Sequence, residues 1–340
     1  MKIPFSFRLK WHRLTNWEYW PGYTLYLPLL PYLVYLGIKS KGSGFFQAAN
    51  PGLKFGGMSL EGKSEIEKLL PNEYNPKSIL LKEDTSLEKL IQIAKLEFTY
   101  PFILKPNDGC RGKMVSLIHT EKELIAYFQQ INFDFIIQEY VSFEHEIGLF
   151  YVRNPHQQEG RITGIVYKHP VQIIGDGIRT VEEIVENDFR YHPHKNTLFE
   201  NNVSIKNFIP TTNQSLVLSR MGNHCKGSRF EDISYKINQK LTQTIDSYCK
   251  QIEGFYYGRF DIKYNTWEEF ESGTGFKVIE LNGAGAEPTH IYDSKHSYFY
   301  ALKEMAKHWR LMSEIAILNK KNGHAYIPFK EGIKLLKFVG

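Results

Sequence analysis

Apolar residues along this chain fall at two spacings, one typical of helices and one typical of strands. Between residues 86 and 96 they recur every three or four positions, which predicts a helix. Short apolar runs bounded by turn residues predict strands. These predicted strands cover residues 78–81, 102–104, 114–118, 135–137, 147–152 and 162–166. Because the strands follow one another without regular helical crossovers, the pattern predicts an α+β fold with antiparallel pairs.

The second half of the chain continues this pattern. QIIGDGIRTVEEIVEND, residues 172–188, predicts a strand, a Gly-Asp-Gly turn and a helix that Thr180 and Glu183 begin with a capping box. Residues 237–251 predict a further helix, and the last forty residues are helical and basic in pattern. In GRFDIKYNTWEEFESGTGFKVIELNGAG, Gly258–Gly285, two apolar runs predict a hairpin with polar residues inside its strands.

The N-terminal part of the chain has a different character. Tyr19–Ile38 holds no charge over twenty residues, which is just long enough to span a bilayer. Its three prolines and its many Tyr and Trp residues favour an interfacial position over a span. Before it, Lys2, Arg8, Lys10 and Arg13 alternate with aromatic residues, as in segments that attach to anionic membranes. Three interpretations stay open: surface attachment, an apolar hairpin packed on the rest of the protein, and a true span.

Composition narrows the class of protein. With 340 residues, 42% of them hydrophobic and 23% charged, the chain has the make-up of a globular protein with a sizeable core. The net charge of +5 is mild and no run of five like charges occurs, so nothing indicates nucleic-acid binding. The three cysteines are far apart, which argues against a disulfide framework and fits a reducing compartment.

One apparent phosphate motif is misleading. Gly57–Ser64, GMSLEGKS, satisfies the P-loop expression. A working P-loop needs a buried strand before the loop and a helix after it, so that backbone N–H groups cradle phosphates. Here the preceding residues make a poor strand, and Pro71 ends the following helix after about two turns. We therefore do not assign a P-loop to this stretch.

A stronger phosphate candidate lies in FILKPNDGCRGKMVSLI, residues 102–118. Lys105 closes a strand in this sequence. In the loop that follows, Gly109 and Gly112 give flexibility and Arg111 adds positive charge. Such a strand–loop–strand can fold over a polyphosphate, with backbone amides and cations neutralising it. A charged hairpin tip is the alternative.

Two further stretches carry candidate binding groups. IIQEYV, residues 136–141, is an apolar strand with Glu144 and Glu146 soon after it. A strand edge can pair with an adenine edge and a carboxylate can accept ribose hydroxyls, although a solvated acidic turn explains these residues as well.

The hairpin at residues 258–285 predicts a metal site. Residues two apart share one face of a strand, so Arg259 lies beside Asp261, and Glu280 lies beside Asn282. If the two strands pair, one face holds two carboxylates and an amide next to a guanidinium. Hard divalent cations take oxygen ligands of this kind, usually few from the protein and the rest from phosphate and water. A solvent-facing strand surface is the alternative.

Taken in order, these motifs resemble the ATP-grasp superfamily, on the branch of D-alanine–D-alanine ligase, cyanophycin synthetase and the fused bacterial glutathione synthetases. The resemblance covers roughly residues 63–309, most of the chain. It rests on FILKP, NDGCRGKMV, QEYV followed by Glu146, IIGDGIRTVEEI, GNHCKGSRFEDIS and GRFD…VIELN, which stand in the family's order. It implies an ATP-grasp fold, in which two α+β subdomains hold ATP between antiparallel sheets.

The resemblance also implies a role for each matching residue. Asp261, Glu280 and Asn282 would hold two Mg²⁺ ions, for which Mn²⁺ can substitute. Arg259 would stabilise the transferring phosphoryl group, and Lys168 lies where relatives place a basic residue near the triphosphate or acyl phosphate. The nucleotide contacts would come from Lys63, Lys105, Gly109, Arg111, Gly112, Glu139, Val141 and Glu146, of which Glu146 would meet the ribose.

The chain departs from the family in two places. A family ligase usually begins with an α/β domain that binds one substrate, whereas this chain begins with the aromatic segment. NGAGAEP also replaces the family's N-x-x-P-G, so the substrates are not inherited from a relative. We divide the chain into an N-terminal segment, 1–58, and an ATP-grasp domain, 59–340. Within that domain we expect a nucleotide-lid subdomain at about 86–141 and a metal-binding subdomain at about 142–320.

The implied reaction joins a carboxylate to an amine through an acyl phosphate and releases ADP and phosphate. The alternatives are an ATP-grasp kinase and a catalytically idle nucleotide-binding protein at a membrane. The expected partners are a small-molecule carboxylate and amine, hydrophobic or lipid-linked if the N-terminal segment binds them, without nucleic acid. Residues 1–38 are the expected membrane contact, and the expected location is the cytoplasm, peripheral on the cytoplasmic face of the membrane.

Overall fold

The structure, a computed structural model, describes residues 3–58, 62–108, 114–200, 203–220 and 222–328. Its strands are β1 (Ser78–Leu81), β2 (Phe102–Pro106), β3 (Ser116–Ile118), β4 (Phe135–Glu139), β5 (His145–Val152), β6 (Arg161–Lys168), β7 (Val171–Ile174), β8 (Ser215–Ser219), β9 (Phe230–Asp232), β10 (Tyr257–Tyr264) and β11 (Phe276–Asn282). Its α-helices are α1 (Phe5–Thr15), α2 (Tyr23–Tyr26), α3 (Leu30–Lys39), α4 (Lys63–Glu67), α5 (Leu87–Glu97), α6 (Glu121–Phe128), α7 (Val181–Glu186), α8 (Lys195–Glu200), α9 (Gln239–Lys250), α10 (Trp267–Glu271) and α11 (Tyr298–Lys321). The strands pair antiparallel in sheets of four, five and two, so the predicted α+β fold is confirmed.

The four-stranded sheet has the strand order β1-β4-β2-β3. Alternate residues of its strands point to opposite faces, and the apolar set, such as Phe102, Leu104 and Phe135, packs under α5 and α6. Both helices begin at a hydroxyl that accepts a hydrogen bond from their first turn, Ser86 for α5 and Thr120 for α6. The opposite face of the sheet is therefore left free of these helices, and it carries Lys105 and Gln138.

The five-stranded sheet has the strand order β11-β10-β5-β6-β9. One of its faces is apolar, and α9 packs against it with Leu241 and Ile245. At one end of the other face, Phe150 and Tyr257 join a core formed with α11 and the N-terminal segment. The other end of that face is polar, and the candidate site lies there.

The predicted hairpin of residues 258–285 is present as β10 and β11. The strands pair antiparallel, and α10 forms the connection between them. Thr266 and Glu269 begin α10 with a reciprocal capping box, which satisfies backbone N–H groups at the helix start. A bulge after Asp261 shifts the register of the pair at that residue.

A smaller unit is built on β7 and β8, with α7 and α8 packed against them. The predicted capping box of α7 is confirmed, because Thr180 Oγ1 accepts from the N–H of Glu183 and the Glu183 carboxylate accepts from the N–H of Thr180. This unit follows β6 directly and leads through residue 220 back to β9.

Residues 23–39 of the N-terminal segment pack on α11 through one side. Leu25, Leu29 and Leu36 are buried there against residues such as Met305 and Ala316. The side that contacts α11, here called the inner side, is thus packed as the second of the three interpretations expected. Among the described helices, none combines the length and the apolar character that crossing a membrane requires.

Several predicted boundaries need correction. The strand predicted at 114–118 begins at Ser116, and the strand predicted at 135–137 continues to Glu139. The C-terminal helix ends at Lys321, and residues 329–340 of the predicted helical stretch lie outside the described residues. The helix after the misleading P-loop motif, α4, is five residues long.

Candidate active site

Four predicted site residues meet on one face of the β10–β11 pair. Asp261 is directly opposite Glu280, and Arg259 is directly opposite Asn282. Residues opposite each other in an antiparallel pair project to the same side of the sheet. The structure therefore brings the two carboxylates, the amide and the guanidinium together, as the i, i+2 spacing of each strand predicted.

Lys168, at the end of β6, reaches into the same group. Its Nζ lies 3.0 Å from Glu146 Oε1 and 3.0 Å from Asp261 Oδ1, and Nε of Arg259 lies 3.1 Å from the same Asp261 oxygen. The Lys168 side chain is only 5% exposed. Three strands, β5, β6 and β10, thus contribute one compact cluster of buried charges.

The protonation states in this cluster are set by competing effects. Burial alone would raise the pKa of Asp261, but the Arg259 and Lys168 cations outweigh it and hold that pKa below its usual value. Burial alone would lower the pKa of Lys168, but the Asp261 and Glu146 carboxylates raise it above its usual value. Lys168 and Asp261 are therefore both charged at neutral pH, and the cluster is a true ion group.

Glycine residues make room for this cluster. Gly148 on β5 is opposite Asp261, and a Cβ there would stand 3.0 Å from Thr289 Oγ1 and 3.4 Å from Asp261 Oδ1. A Cβ at Gly222 would stand 2.5 Å from Glu146 Oε1. Neither glycine was predicted as a site residue, although a glycine in the middle of an apolar strand is a signal for close approach.

The residues present fit Mg²⁺ as a ligand set that phosphate completes. Asp261 and Glu280 supply carboxylates from one sheet face, and Asn282 supplies an amide, of which Oδ1 would be the metal ligand. The buried Nδ2 of Asn282 has no hydrogen-bond partner among the described residues. Those residues contain no group of three or more His, Cys, Asp or Glu able to hold a metal. Two carboxylates and an amide are what Mg²⁺ uses when substrate phosphates and water fill the remaining positions.

The loop after β11 contributes a residue that the sequence did not reveal, Glu287. Its main-chain oxygen accepts a hydrogen bond from Nη1 of Arg259 at 3.2 Å. Its carboxylate accepts hydrogen bonds from the hydroxyls of Tyr26 and Tyr292. Because Tyr26 belongs to the N-terminal segment, that segment is connected to the Arg259 side of the cluster through one carboxylate.

Lys105, a predicted nucleotide contact, lies on the four-stranded sheet, and its contacts are separate from the Asp261 group. Its Nζ donates to Glu67 Oε1 at 2.8 Å and to Gln138 Oε1 at 3.1 Å. Glu67 is the last residue of α4, and the residue before it, Ile66, packs on the core of the five-stranded sheet. α4 therefore contacts both sheets. Glu67 and Gln138 were not predicted.

Lys63 lies at the start of α4, beside the predicted glycine-rich loop. Its backbone N–H donates to Asn107 O at 2.9 Å, and the N–H of Ser64 donates to Asn107 Oδ1 at 3.0 Å. The loop residues predicted to contact phosphate, Gly109, Arg111 and Gly112, lie outside the described residues. Their roles stay predictions.

The connection from β4 to β5 holds the remaining predicted nucleotide residues. Glu139 is exposed and its carboxylate accepts from the N–H of Lys77 at 3.1 Å. The main-chain oxygen of Val141 accepts from Nζ of Lys263 at 3.3 Å. Lys263 is opposite Glu146 on β5, and burial lowers its pKa. Glu146, held by Lys168, is thus the predicted nucleotide residue that joins this β4–β5 connection, here called the hinge, to the ion cluster.

Comparison with known families now bears on this geometry. Residues 63–153, about a quarter of the chain, match the family model described as a RimK-like ATP-grasp domain. This range begins at α4 and includes β2 with Lys105, the β4–β5 connection and β5. The resemblance to the ATP-grasp superfamily is confirmed. The ATP-grasp fold class is confirmed with it, on the two antiparallel sheets already described.

Solved structures similar to this chain include the following three. A bifunctional glutathione synthetase from Pasteurella multocida is 15% identical, with a TM-score of 0.40 and coverage of 73% of this chain and 35% of that one. A D-alanine–D-alanine ligase from Bacillus anthracis is 16% identical, with a TM-score of 0.40 and coverage of 74% and 68%. The VanG D-Ala:D-Ser ligase from Enterococcus faecalis is 14% identical, with a TM-score of 0.42 and coverage of 79% and 64%.

This chain therefore spans about a third of the length of the glutathione synthetase and just under two thirds of the VanG ligase. None of the curated proteins matches its sequence.

Proposed function

We propose that this protein is an ATP-dependent ligase that joins a carboxylate to an amine through an acyl phosphate. The observation that carries the proposal is the buried ion cluster of Lys168, Glu146, Asp261 and Arg259, with Glu280 and Asn282 on the same face. Burying charged side chains costs desolvation free energy that pairing offsets only in part. A group of buried charges on one sheet face is therefore typical of a binding site for a ligand of high charge density. A Mg²⁺-bound triphosphate is a ligand of this kind.

The chemistry requires two anions to approach each other. A carboxylate oxygen attacks the γ-phosphorus, the bond from phosphorus to the bridging oxygen of ADP breaks, and an acyl phosphate forms. The amine nitrogen then attacks the acyl carbon, and phosphate and a proton leave. Lys168 and Arg259 would neutralise the repulsion between the anions and hold them in line.

The metal ligands of the proposal are Asp261, Glu280 and Asn282. Bound Mg²⁺ supplies charge neutralisation at the transferring phosphoryl group. Asp261 already accepts from Lys168 and Arg259, so these two cations would orient its carboxylate for the metal.

The nucleotide would lie between the two sheets. Lys105 projects from the face of the four-stranded sheet that α5 and α6 leave uncovered, and Lys63 lies where the glycine-rich loop begins. We propose that Gly109, Arg111 and Gly112 close over the phosphates and keep water from the acyl phosphate. The hinge residues Glu139 and Val141 would meet the adenine, and Glu146 the ribose.

We further propose a cytoplasmic enzyme that acts on small molecules. ATP is the required co-substrate, and the described cysteines Cys225 and Cys249 are free thiols. We propose that one substrate is hydrophobic or lipid-linked, because the apolar N-terminal segment contacts the Glu287 loop next to Arg259.

The decisive experiment is ADP release from the purified protein over pooled carboxylates and amines with Mg²⁺, followed by mass spectrometry of the product. An amide product supports the proposal. A stable phosphorylated product would instead identify a kinase, and no ADP release across a broad panel would indicate an idle nucleotide-binding protein.

A further inference from the structure

The N-terminal sixty residues have a higher net positive charge than the protein as a whole. They contain seven Lys or Arg residues and one acidic residue, Glu18, whereas the net charge of the chain is +5. Glu18 is buried and paired with Arg190 at 3.0 Å and with His224 at 3.0 Å. The surface of this segment is therefore basic, and of the cations described, Lys54 pairs with a carboxylate outside the segment, Glu65, at 3.5 Å.

The run from α2 to α3 is apolar on both sides. Its inner side, with Leu25, Leu29 and Leu36, is buried in the core shared with α11. A surface helix ordinarily carries polar residues opposite its buried side. Here the opposite side consists of exposed apolar residues, among which Val34 is 63% and Ile38 73% exposed; the others are Tyr23, Leu27, Leu30 and Tyr35.

Helix α1 also has apolar residues on its exposed side. Its inner side rests on the unit built from β7 and β8, where Phe5 and His12 stack on Phe189. Its outer side repeats exposed apolar residues at helical spacing, with Trp11 60% exposed between Phe7 and Leu14. The outer side of α1 thus continues the exposed apolar character of the α2–α3 run.

The exposed cations of α1 flank this outer side. Arg8 and Lys10 lie on either side of the exposed apolar row, and Arg13 follows at the last turn. Exposed Lys39 ends α3 beside Ile38. An apolar face with aromatic residues and flanking cations is complementary to one surface, the boundary between acyl chains and anionic headgroups.

We propose that the outer faces of α1 and of the α2–α3 run bind the protein to an anionic membrane surface without spanning it. The apolar side chains would enter the headgroup region, and the cations would pair with lipid phosphates. This proposal does not depend on the ligase chemistry, because it rests on surface residues outside the ion cluster.

The test is co-sedimentation of the full chain with vesicles. One set contains phosphatidylcholine with about 30% phosphatidylglycerol, and the other contains phosphatidylcholine alone. We expect binding to the anionic vesicles, weakened when salt rises from about 0.1 M to about 1 M and shortens the Debye length from about 10 Å to about 3 Å. Equal binding to both sets, or no binding to either, would overturn the proposal.

Two variants locate the surface. Val34→Glu and Trp11→Glu place a carboxylate on each outer face, and each should weaken binding to the anionic vesicles by about tenfold or more. The matched control is Leu96→Glu on α5, where an equally exposed apolar residue (72%) lies on the four-stranded sheet's side of the protein. It should bind like the original protein.

Folding and self-association are checked on the same samples. Circular dichroism and the thermal midpoint should match among all proteins, since the changed residues point outward. Light scattering gives the mass in solution. One outcome would show that the face binds a second copy of the chain and that the proposal is wrong. In that outcome the original protein is a dimer that does not bind vesicles, and Val34→Glu converts it to a monomer.

Discussion

The ion cluster and the N-terminal segment break the usual distribution of residues in opposite ways. At the polar end of the five-stranded sheet, side chains that prefer water are buried, as Lys168 and Asp261 are. On α1 and the α2–α3 run, side chains that avoid water are exposed, as Trp11 and Ile38 are. Buried charge and exposed apolar surface are both costly in the isolated protein.

The difference between the two regions indicates the kind of ligand that each one accommodates. The cluster contains its own counter-charges at 3.0–3.1 Å, so it is arranged in advance for a small, highly charged ligand. The N-terminal faces lack any such partner in the described structure, and their extent along two helical stretches suits a broad surface. The two regions meet at Glu287, which contacts both Tyr26 and Arg259.

The largest expected effect follows from removing one charge from the cluster. Asp261→Asn or Glu280→Gln should lower ADP formation by about a thousandfold or more, because each removes a proposed metal carboxylate. The measurement is ADP release at saturating Mg²⁺, with circular dichroism to confirm the fold. Glu231→Gln, on β9 of the same sheet but paired with His169, is the matched control and should retain activity. Unchanged turnover in both cluster variants would contradict the metal assignment.

A second prediction concerns the space that the cluster needs. Gly148→Ala should reduce ADP release by about tenfold to a hundredfold, because the new Cβ would stand only 3.0 Å from Thr289 Oγ1 and from Val166 Cγ1, and the shift that relieves these contacts would displace the strands beside Asp261. Its free energy of unfolding should fall by only about 1–3 kcal/mol. Gly22→Ala is the control, since a Cβ there meets nothing within 4 Å. An active Gly148→Ala protein would show that the cluster tolerates displacement.

A third prediction tests the connection between the two regions. Tyr26→Phe removes the hydroxyl that donates to Glu287, so the loop that holds Arg259 should lose about 1–2 kcal/mol of stabilisation. We expect a several-fold slower ADP release and a lower thermal midpoint. Tyr35→Phe, at an exposed tyrosine of α3, should change neither quantity. Equal rates in both variants would mean that the segment and the active site act independently.

The smallest expected effect is a pH dependence of stability from buried His308. Its Nδ1–H donates to Glu304 O, and burial lowers its pKa to about 4. Between about pH 6.5 and pH 4 the unfolded chain takes up a proton that the folded protein excludes, so stability falls as pH falls. Burial would raise the pKa of Glu304, but His290 and Lys307 lower it to about 2, so this carboxylate stays charged throughout that window.

Denaturant unfolding at pH 7 and pH 5.5 measures this contribution. His308 should account for about 1 kcal/mol of the loss between these two values. His308→Gln should show a loss smaller by that amount, whatever its absolute stability. His324→Gln, at an exposed histidine, should keep the original slope. A His308→Gln protein with an unchanged slope would disprove the assignment.

Local sequence pattern was sufficient for the hairpin but insufficient for the contacts between distant elements. The face shared by Arg259, Asp261, Glu280 and Asn282 follows from a period of two, which any pair of neighbouring strands obeys. Glu67 and Glu287 have no such local signature, because their partners come from other elements far along the chain.

The N-terminal segment was ambiguous for a related reason. A helix that is apolar on all sides has no periodicity to show which side is buried. Which side is buried depends on the contacts with α11, which place Leu36 in the shared core and leave Ile38 outside it.

That dependence on α11 has a consequence for the order in which the molecule is made. Trp17 donates to His296 O across 279 positions of sequence, and Asn319 donates to Ala48 O across 271. At a synthesis rate of about 5–20 residues per second, the N-terminal segment waits on the order of tens of seconds for these partners. During that interval both of its sides are uncovered, and chaperones or a lipid surface can reach it before the rest of the protein exists. Slow, late docking of a long-range contact is also expected to limit the folding rate.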